Sequence, residues 1–232
     1  DEARQFGVDI PKGVLLIGVP GCGKSLVAKA VAGAWTVPLL RFDLGKVFGM
    51  YVGQSEENIR NAIKTAESVA PCVLWIDELE KSVAGWGGAG NLDSGVTSRV
   101  FGTLITWLND KSKPVFIVAT ANDVSSLPSE LMRKGRFDEI FFVDLPNEKE
   151  REEIFAVHLK MRQRNPEDFD LKRLAAMSEG FTGSDIEGVV KAAIERAYVD
   201  NMRGLTTDDI ASVLCESIPL STTMKEQIEK LR

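Results

Sequence analysis

The sequence predicts an α/β fold over residues 1–146, a parallel five-stranded sheet flanked by helices, followed by a small all-helical domain over residues 147–232. Three observations predict it. Five short apolar runs punctuate the first part and helical patterns separate them, as expected of parallel strands buried on both faces. A glycine-rich turn follows the first run and opens the first helix. Beyond Pro146 no run of comparable strand character occurs, and the pattern becomes helical.

Val14-Leu15-Leu16-Ile17 is a continuous buried-type strand, and helix formers occupy Ser25 to Ala34. Pro38-Leu39-Leu40-Arg41-Phe42 reads as the second strand. Ser55-Glu56-Glu57 starts a helix, a capping hydroxyl followed by two carboxylates against the positive helix end. Ile59, Ala62, Ile63 and Ala66 continue it at helical spacing. Cys72-Val73-Leu74-Trp75-Ile76, Val115-Phe116-Ile117-Val118-Ala119 and Ile140-Phe141-Phe142-Val143 are the third, fourth and fifth strands. Lys149 to Met161, Leu171 to Met177, Ser184 to Asp200, Asp208 to Ser217 and Thr222 to Leu231 read as the helices of the second domain. Asn165-Pro166, Gly180, Gly183, Gly204 and Pro219 punctuate them. There is no internal repeat, and Gly85 to Gly90 is a glycine-rich, low-complexity loop.

The 232 residues are 44% hydrophobic and 27% charged, the composition of a folded globular protein and not of a disordered tail. A net charge of −6 argues against a dedicated nucleic-acid binder, while leaving room for a local basic groove. No apolar run approaches the roughly 18 residues that read as a membrane-spanning helix. Asp1-Glu2-Ala3-Arg4-Gln5 is not a secretory signal and lacks Met, so the chain is expected to be a piece of a longer protein. Cys22, Cys72 and Cys215 are odd in number and far apart, and the single His cannot complete a zinc spacing. A disulfide framework is not expected, and a reducing, cytosol-like compartment is.

Gly18-Val19-Pro20-Gly21-Cys22-Gly23-Lys24-Ser25 fits the spacing of a phosphate-binding loop between a strand and a helix. Glycines let the backbone curl so that its N–H groups face phosphate oxygens, and the helix adds its positive end. Lys24 supplies a point charge to the β- and γ-phosphates, and Ser25 offers a hydroxyl to Mg²⁺. A chance glycine-rich turn is the bland alternative, and the flanking strand and helix weigh against it. The strand 73–76 ends in Asp77-Glu78. Two carboxylates at the end of a buried strand are expensive without a partner, and Mg²⁺ is one. Asp77 would hold the metal through water, and Glu78 would orient or activate an attacking water. Asn122, in Ala119-Thr120-Ala121-Asn122 at the end of the fourth strand, can hold that water or the γ-phosphate through its amide. Arg133 and Arg136 bracket Lys134-Gly135, and planar guanidinium groups suit the charge that builds on a transferred phosphoryl group. By themselves these residues favour a plainer reading, a basic surface turn.

Taken together, these motifs in this order resemble the AAA ATPases, in the clade of the proteasomal ATPases, the membrane AAA proteases and the vesicle-fusion ATPases. The resemblance runs over essentially the whole chain. Within the clade it is most similar to a branch known from a chloroplast reading frame and its bacterial relatives. The stretches 70–81 and 99–108 carry that narrower likeness, and 116–122 adds to it. The resemblance implies ATP and Mg²⁺ as cofactors. It places Pro20, Gly21, Cys22, Gly23, Lys24, Ser25 and Leu26 on the Walker A segment and Asp77 and Glu78 on Walker B, with Ser25 and Asp77 toward the metal. It makes Asn122 the sensor residue and Arg133 and Arg136 the fingers that reach a neighbouring subunit's site, so the active unit would be a ring, usually a hexamer. His158 falls where the family often has a His near the adenosine, and Gly183-Ser184-Asp185 falls on the lid turn over the nucleotide.

Met50-Tyr51-Val52-Gly53 is similar to the family's pore loop, an aromatic followed by an aliphatic residue and Gly. Tyr51 and Val52 would then grip a protein or peptide substrate in the ring's channel. Without the resemblance, Tyr51 reads as a residue packed on its own subunit. The loop from Gly85 to Gly95, with Trp86, falls where a second pore loop would lie. The chain departs from the family in three respects. The upstream segment that completes the adenine pocket is not in this sequence, no H-E-x-x-H follows the lid, and the lid turn carries no Arg.

Three readings follow. The first is an ATP-hydrolysing ring that remodels or threads protein. The second is a nucleotide-dependent assembly scaffold or regulator with slow turnover. The third, a nucleic-acid motor, is weakened by the negative charge and the missing lid Arg. No guanine-reading N-K-x-D segment supports a GTPase, and a small-molecule kinase leaves Tyr51, Arg133 and Arg136 without a role. The resemblance places the protein in bacterial cytosol or plastid stroma.

Overall fold

The computed structural model describes residues 5–43, 54–83, 94–125, 127–133 and 135–232. They form two compact units, one running to Gly18 and continuing with Lys24–Phe142, the other made of Val19–Gly23 and Val143–Arg232.

The first unit is built on a five-stranded parallel sheet of β1 (Gly13–Gly18), β2 (Leu39–Phe42), β3 (Cys72–Ile76), β4 (Val115–Ala121) and β5 (Glu139–Val143), in the order β2-β3-β4-β1-β5. Helices α1 (Lys24–Trp35), α2 (Gln54–Val69), α3 (Leu79–Val83) and α4 (Ser94–Asp110) belong with it. Leu15, Val73, Val115, Ile117 and Val118 are fully buried, because the inner strands are covered on both faces. Each such side chain contributes about 1.5–3 kcal/mol. The fifth run does not follow the expectation of burial on both faces. Ile140, Phe141 and Phe142 are 39%, 51% and 45% exposed, because β5 lies at the sheet edge with β1 as its one neighbour. At Gly13, φ is 143° and an added Cβ would stand 2.1 Å from the Ile117 carbonyl oxygen, so the β1–β4 pairing begins where only glycine fits. Helix α4 carries Phe101, Leu104, Ile105 and Leu108 at helical spacing, all buried, whereas the five-residue α3 is too short to show an apolar period.

The second unit is helical: α5 (Glu148–Met161), α6 (Leu171–Met177), α7 (Gly183–Val199), α8 (Thr207–Glu216), α9 (Leu220–Thr223) and α10 (Lys225–Leu231), with a 3₁₀ turn at Pro166–Asp168. Its helix starts are written in the sequence. Asn147 with Glu150, Thr182 with Asp185 and Thr206 with Asp209 each form a reciprocal capping box, worth about 0.5–2 kcal/mol through the cap residue alone. Phe155, Leu159, Leu174, Ile186, Val190 and Ile210 fill its core. The stretch expected as one helix over Thr222 to Leu231 is two. Met224 leaves the helical basin at φ −114° and ψ 24°, closing α9 and opening α10. No helix among the described residues is long and apolar enough to cross a membrane.

Candidate functional site

The strand order sets the geometry. β4 runs between β3 and β1, with Ala119 level with Ile76 and Thr120 level with Leu16. The carboxyl end of β4 therefore stands beside Gly18 on one side and Asp77 on the other, where open parallel sheets place their ligands. Ser25, in the first turn of α1, donates its hydroxyl to Asp77 Oδ1 at 2.9 Å. Thr120 donates to the same oxygen at 2.7 Å and accepts the Glu78 N–H at 3.0 Å. Glu78 has φ 51°, a left-handed conformation that costs a residue with a Cβ about 1–2 kcal/mol. This turn takes the chain off β3. The Glu78 carboxylate pairs with Lys81 at 2.7 Å. Asn122 donates its amide to Glu80 Oε1 at 2.9 Å, while Glu80 Oε2 is buried without a hydrogen-bond partner.

Lys24 is buried, and its ammonium donates to the Gly18 carbonyl at 2.8 Å, within the turn it closes. Arg41 on β2 lies with its guanidinium 4.9 Å from the centre of the Trp75 ring and 3.9 Å from Asp77 Oδ2. The Lys29 ammonium is 5.8 Å from the same ring. Among the described residues no cluster of three or more His, Cys, Asp and Glu side chains could hold a metal by itself. Ser25 and Asp77 offer one hydroxyl and one carboxylate, hard oxygen donors that suit Mg²⁺, an ion that takes one or two protein ligands and fills its remaining positions with phosphate and water.

The turn Val19–Gly23 belongs to the second unit. The Val19 N–H bonds the Val143 carbonyl at 3.0 Å, and the Ser184 N–H bonds the Gly21 carbonyl at 3.0 Å. Gly21 and Gly23 have φ of 78° and 84°. A Cβ on Gly21 would come within 2.9 Å of Thr182 Oγ1 and 3.1 Å of Ser184 Oγ. The loop is thus a bare-backbone cradle, with Gly21 held against Thr182, Gly183 and Ser184 at the start of α7. Pro20 and Cys22 are half-buried, and Leu26 is 61% exposed. His158 on α5 is half-buried and its Nδ1 is buried without a hydrogen-bond partner. Burial pushes its pKa down, Arg162 adds to that, and Glu187 opposes it.

Arg133 is exposed, and Arg136 is half-buried with Nη1 3.4 Å from the Ile105 carbonyl of α4. Tyr51 and Val52, and the loop carrying Trp86, lie outside the described residues. Thr120, Glu80, Arg41 and Trp75 are site neighbours that motif reading passes over. The available signal was a single hydroxyl in the otherwise apolar run of β4, two residues before Asn122.

The model of the ATPase family associated with various cellular activities (AAA) matches residues 14–145, and the AAA+ lid domain model matches residues 168–212. The chain is 48% identical over 232 residues to the uncharacterized AAA domain-containing protein ycf46 of Pyropia yezoensis, covering 100% of this chain and 46% of that protein. It is 50% identical over 231 residues to its namesake in Guillardia theta, covering 99% and 45%. It is 35% identical over 232 residues to the cell division cycle protein 48 homolog of Archaeoglobus fulgidus, covering 99% and 31%. The chain thus spans about half the length, or less, of the curated relatives it matches. With one family model over the sheet and a second over the helices, this chain belongs to the AAA ATPase family.

Proposed function

We propose that this chain is the Mg²⁺-dependent, ATP-hydrolysing module of a ring-forming, hexameric ATPase that remodels or threads protein substrates. The observation that carries the hydrolytic reading is the convergence of Ser25 and Thr120 on Asp77 Oδ1, with Glu78 turned off the strand immediately beyond. The cradle of Gly21, Gly23 and Lys24 receives the phosphates. Ser25 and Asp77 would hold the metal, which supplies charge neutralisation on the phosphate oxygens when bound. Glu78 orients the attacking water and accepts its proton, and Asn122 fixes that water or the γ-phosphate. Arg133 and Arg136 act on the neighbouring subunit's site. Residues 1–146 form the nucleotide-binding domain and residues 147–232 the lid, where Ser184, Gly183 and His158 face the nucleotide. Tyr51 and Val52 contact the protein substrate. A bacterial cytosol or plastid stroma fits this reading.

A second reading, a nucleotide-dependent scaffold with slow turnover, is favoured by one contact. The Glu78 carboxylate is paired with Lys81 at 2.7 Å, and water activation requires its release. Phosphate release per protomer, measured across a hundredfold range of protein concentration, separates the two. A specific activity that climbs with concentration, and that Arg136→Ala abolishes, is the expected result. Activity near zero at every concentration, with nucleotide still bound, favours the scaffold.

A further inference from the structure

We infer that Thr120 is a positioning residue that locks Asp77 and Glu78 into one unit, an inference that rests on the ATPase reading of the site. Thr120 is 2% exposed, on the central strand of the sheet. It is the one hydroxyl in Val115–Ala121, a strand whose other side chains are all apolar. A polar group buried in such a strand is unfavourable unless its hydrogen bonds are made, and Val would serve strand packing as well. Its hydroxyl makes two bonds at once. The hydrogen goes to Asp77 Oδ1 at 2.7 Å, and a lone pair takes the Glu78 N–H at 3.0 Å.

The two bonds have different consequences. The first, together with the Ser25 hydroxyl, occupies Oδ1 and sets the rotation of the Asp77 carboxylate, leaving Oδ2 on the Arg41 side. The second anchors the amide of the residue at φ 51°, so the strained turn that aims Glu78 is held by β4 and not by β3 alone. One side chain on a neighbouring strand therefore fixes both the carboxylate that would face the metal and the backbone of the residue that would face water. Loosening it disturbs metal use and turnover together, while nucleotide binding without metal, which depends on the Val19–Gly23 turn and Lys24, stays as it is.

The test uses Thr120→Val, Thr120→Ala and Thr120→Ser, with three readouts on the chain as it stands. Hydrogen exchange of the Glu78 amide is followed without nucleotide. Affinity for a fluorescent ATP analogue is measured in EDTA and across a Mg²⁺ titration. Phosphate release is measured at saturating Mg²⁺. Loss of a residue that orients a metal's protein ligand typically costs about 10- to 100-fold in metal affinity or activity. Thr120→Val is therefore expected to raise the Mg²⁺ concentration for half-maximal enhancement of binding about 10- to 100-fold. Turnover should fall by a similar factor, Glu78 exchange should quicken, and affinity in EDTA should stay within about threefold of wild type. Thr120→Ser should restore wild-type behaviour. Thr120→Val with wild-type Mg²⁺ dependence and turnover overturns the inference, as does Thr120→Ser failing as badly as Thr120→Val. If Thr120→Val does not melt cooperatively, Thr120→Ala is read against the same criteria. If the wild-type protein binds Mg²⁺-nucleotide but releases no phosphate, the hydrolysis reading fails, and the Mg²⁺ titration and Glu78 exchange alone decide Thr120.

Discussion

Gly21→Ala places a single methyl group where the Val19–Gly23 turn meets the start of α7. Two penalties add. Gly21 has φ 78°, and an L-residue with a Cβ is strained there by about 1–2 kcal/mol. The new Cβ would stand 2.9 Å from Thr182 Oγ1 and 3.2 Å from Ser184 Cβ. Thr182 is fully buried and committed to its capping box, so it cannot swing aside. Overpacking of this kind costs about 1–3 kcal/mol. The total is about 2–5 kcal/mol, and it can emerge in two places. If the loop keeps its shape, the second unit loses that stability. If the loop moves instead, the cradle is lost and nucleotide affinity falls by about 30-fold to more than a thousandfold, at 1.4 kcal/mol per decade. Denaturant unfolding without nucleotide and the dissociation constant of a fluorescent ADP analogue measure the two together. Gly188→Ala is the internal control. Gly188 lies inside α7 with open space where its Cβ would go, so the same methyl group should stabilise by up to about 1 kcal/mol. Gly21→Ala matching wild type in both stability and affinity would mean that the turn accommodates a Cβ against Thr182 and Ser184 without strain.

Asn122→Ala removes the amide from Glu80 Oε1 and leaves a partly buried carboxylate whose other oxygen already lacks a partner. Turnover should fall about 10²- to 10³-fold, as when one preorganised donor is deleted, with nucleotide affinity within about threefold. A loss confined to affinity would contradict the assignment. The helical unit should be acid-sensitive in two windows. Burial holds the His158 pKa below its ordinary 6.5, Arg162 adding and Glu187 opposing, so the unfolded chain takes up the proton first. Stability is full above that value and is lost as pH falls through it, and His158→Gln should remove this component from melts between pH 7.5 and 5.5. Arg203 makes paired hydrogen bonds at 2.7 Å to both Asp209 oxygens and holds that carboxyl well below its usual 3.8. Its contribution is present above 3.8 and is lost as pH falls below, so Asp209→Asn should weaken the unit at pH 7 and flatten the acid limb.

Much of this was legible in the residues because burial writes itself into composition. β1, β3 and β4 are covered on both faces, and their apolar runs give them away within two residues of their true ends. The starts of α5, α7 and α8, read from the sequence at Lys149, Ser184 and Asp208, lie one residue earlier, where Asn147, Thr182 and Thr206 cap them. β5 shows the limit of that reasoning. Glu139–Val143 has the apolar content of a buried strand, but position in the sheet decides exposure, and sequence order does not reveal that β5 is an edge. Met224 breaks a helix through its own backbone angles, with neither Gly nor Pro to mark it. At the candidate site, motif spacing singled out Gly21, Gly23, Lys24, Ser25 and Asp77, on which the proposed chemistry rests. It did not single out Thr120, Glu80 and Arg41. Their roles depend on which strand lies beside which, and on a register that puts Thr120 one step past the Ala119–Ile76 pair.

Glu78→Gln asks whether the carboxylate following Asp77 activates water at a phosphate site built by this chain. The substitution keeps size and shape and removes only the proton acceptor. ATP binding by equilibrium fluorescence and phosphate release should be measured side by side on wild type and Glu78→Gln, at a protein concentration high enough to favour assembly. Mg²⁺-ATP binding should be unchanged or tighter, with release reduced at least about 100-fold, at the lower end of what general acid–base catalysis supplies. Undiminished phosphate release by Glu78→Gln, with binding intact, would rule out water activation by Glu78.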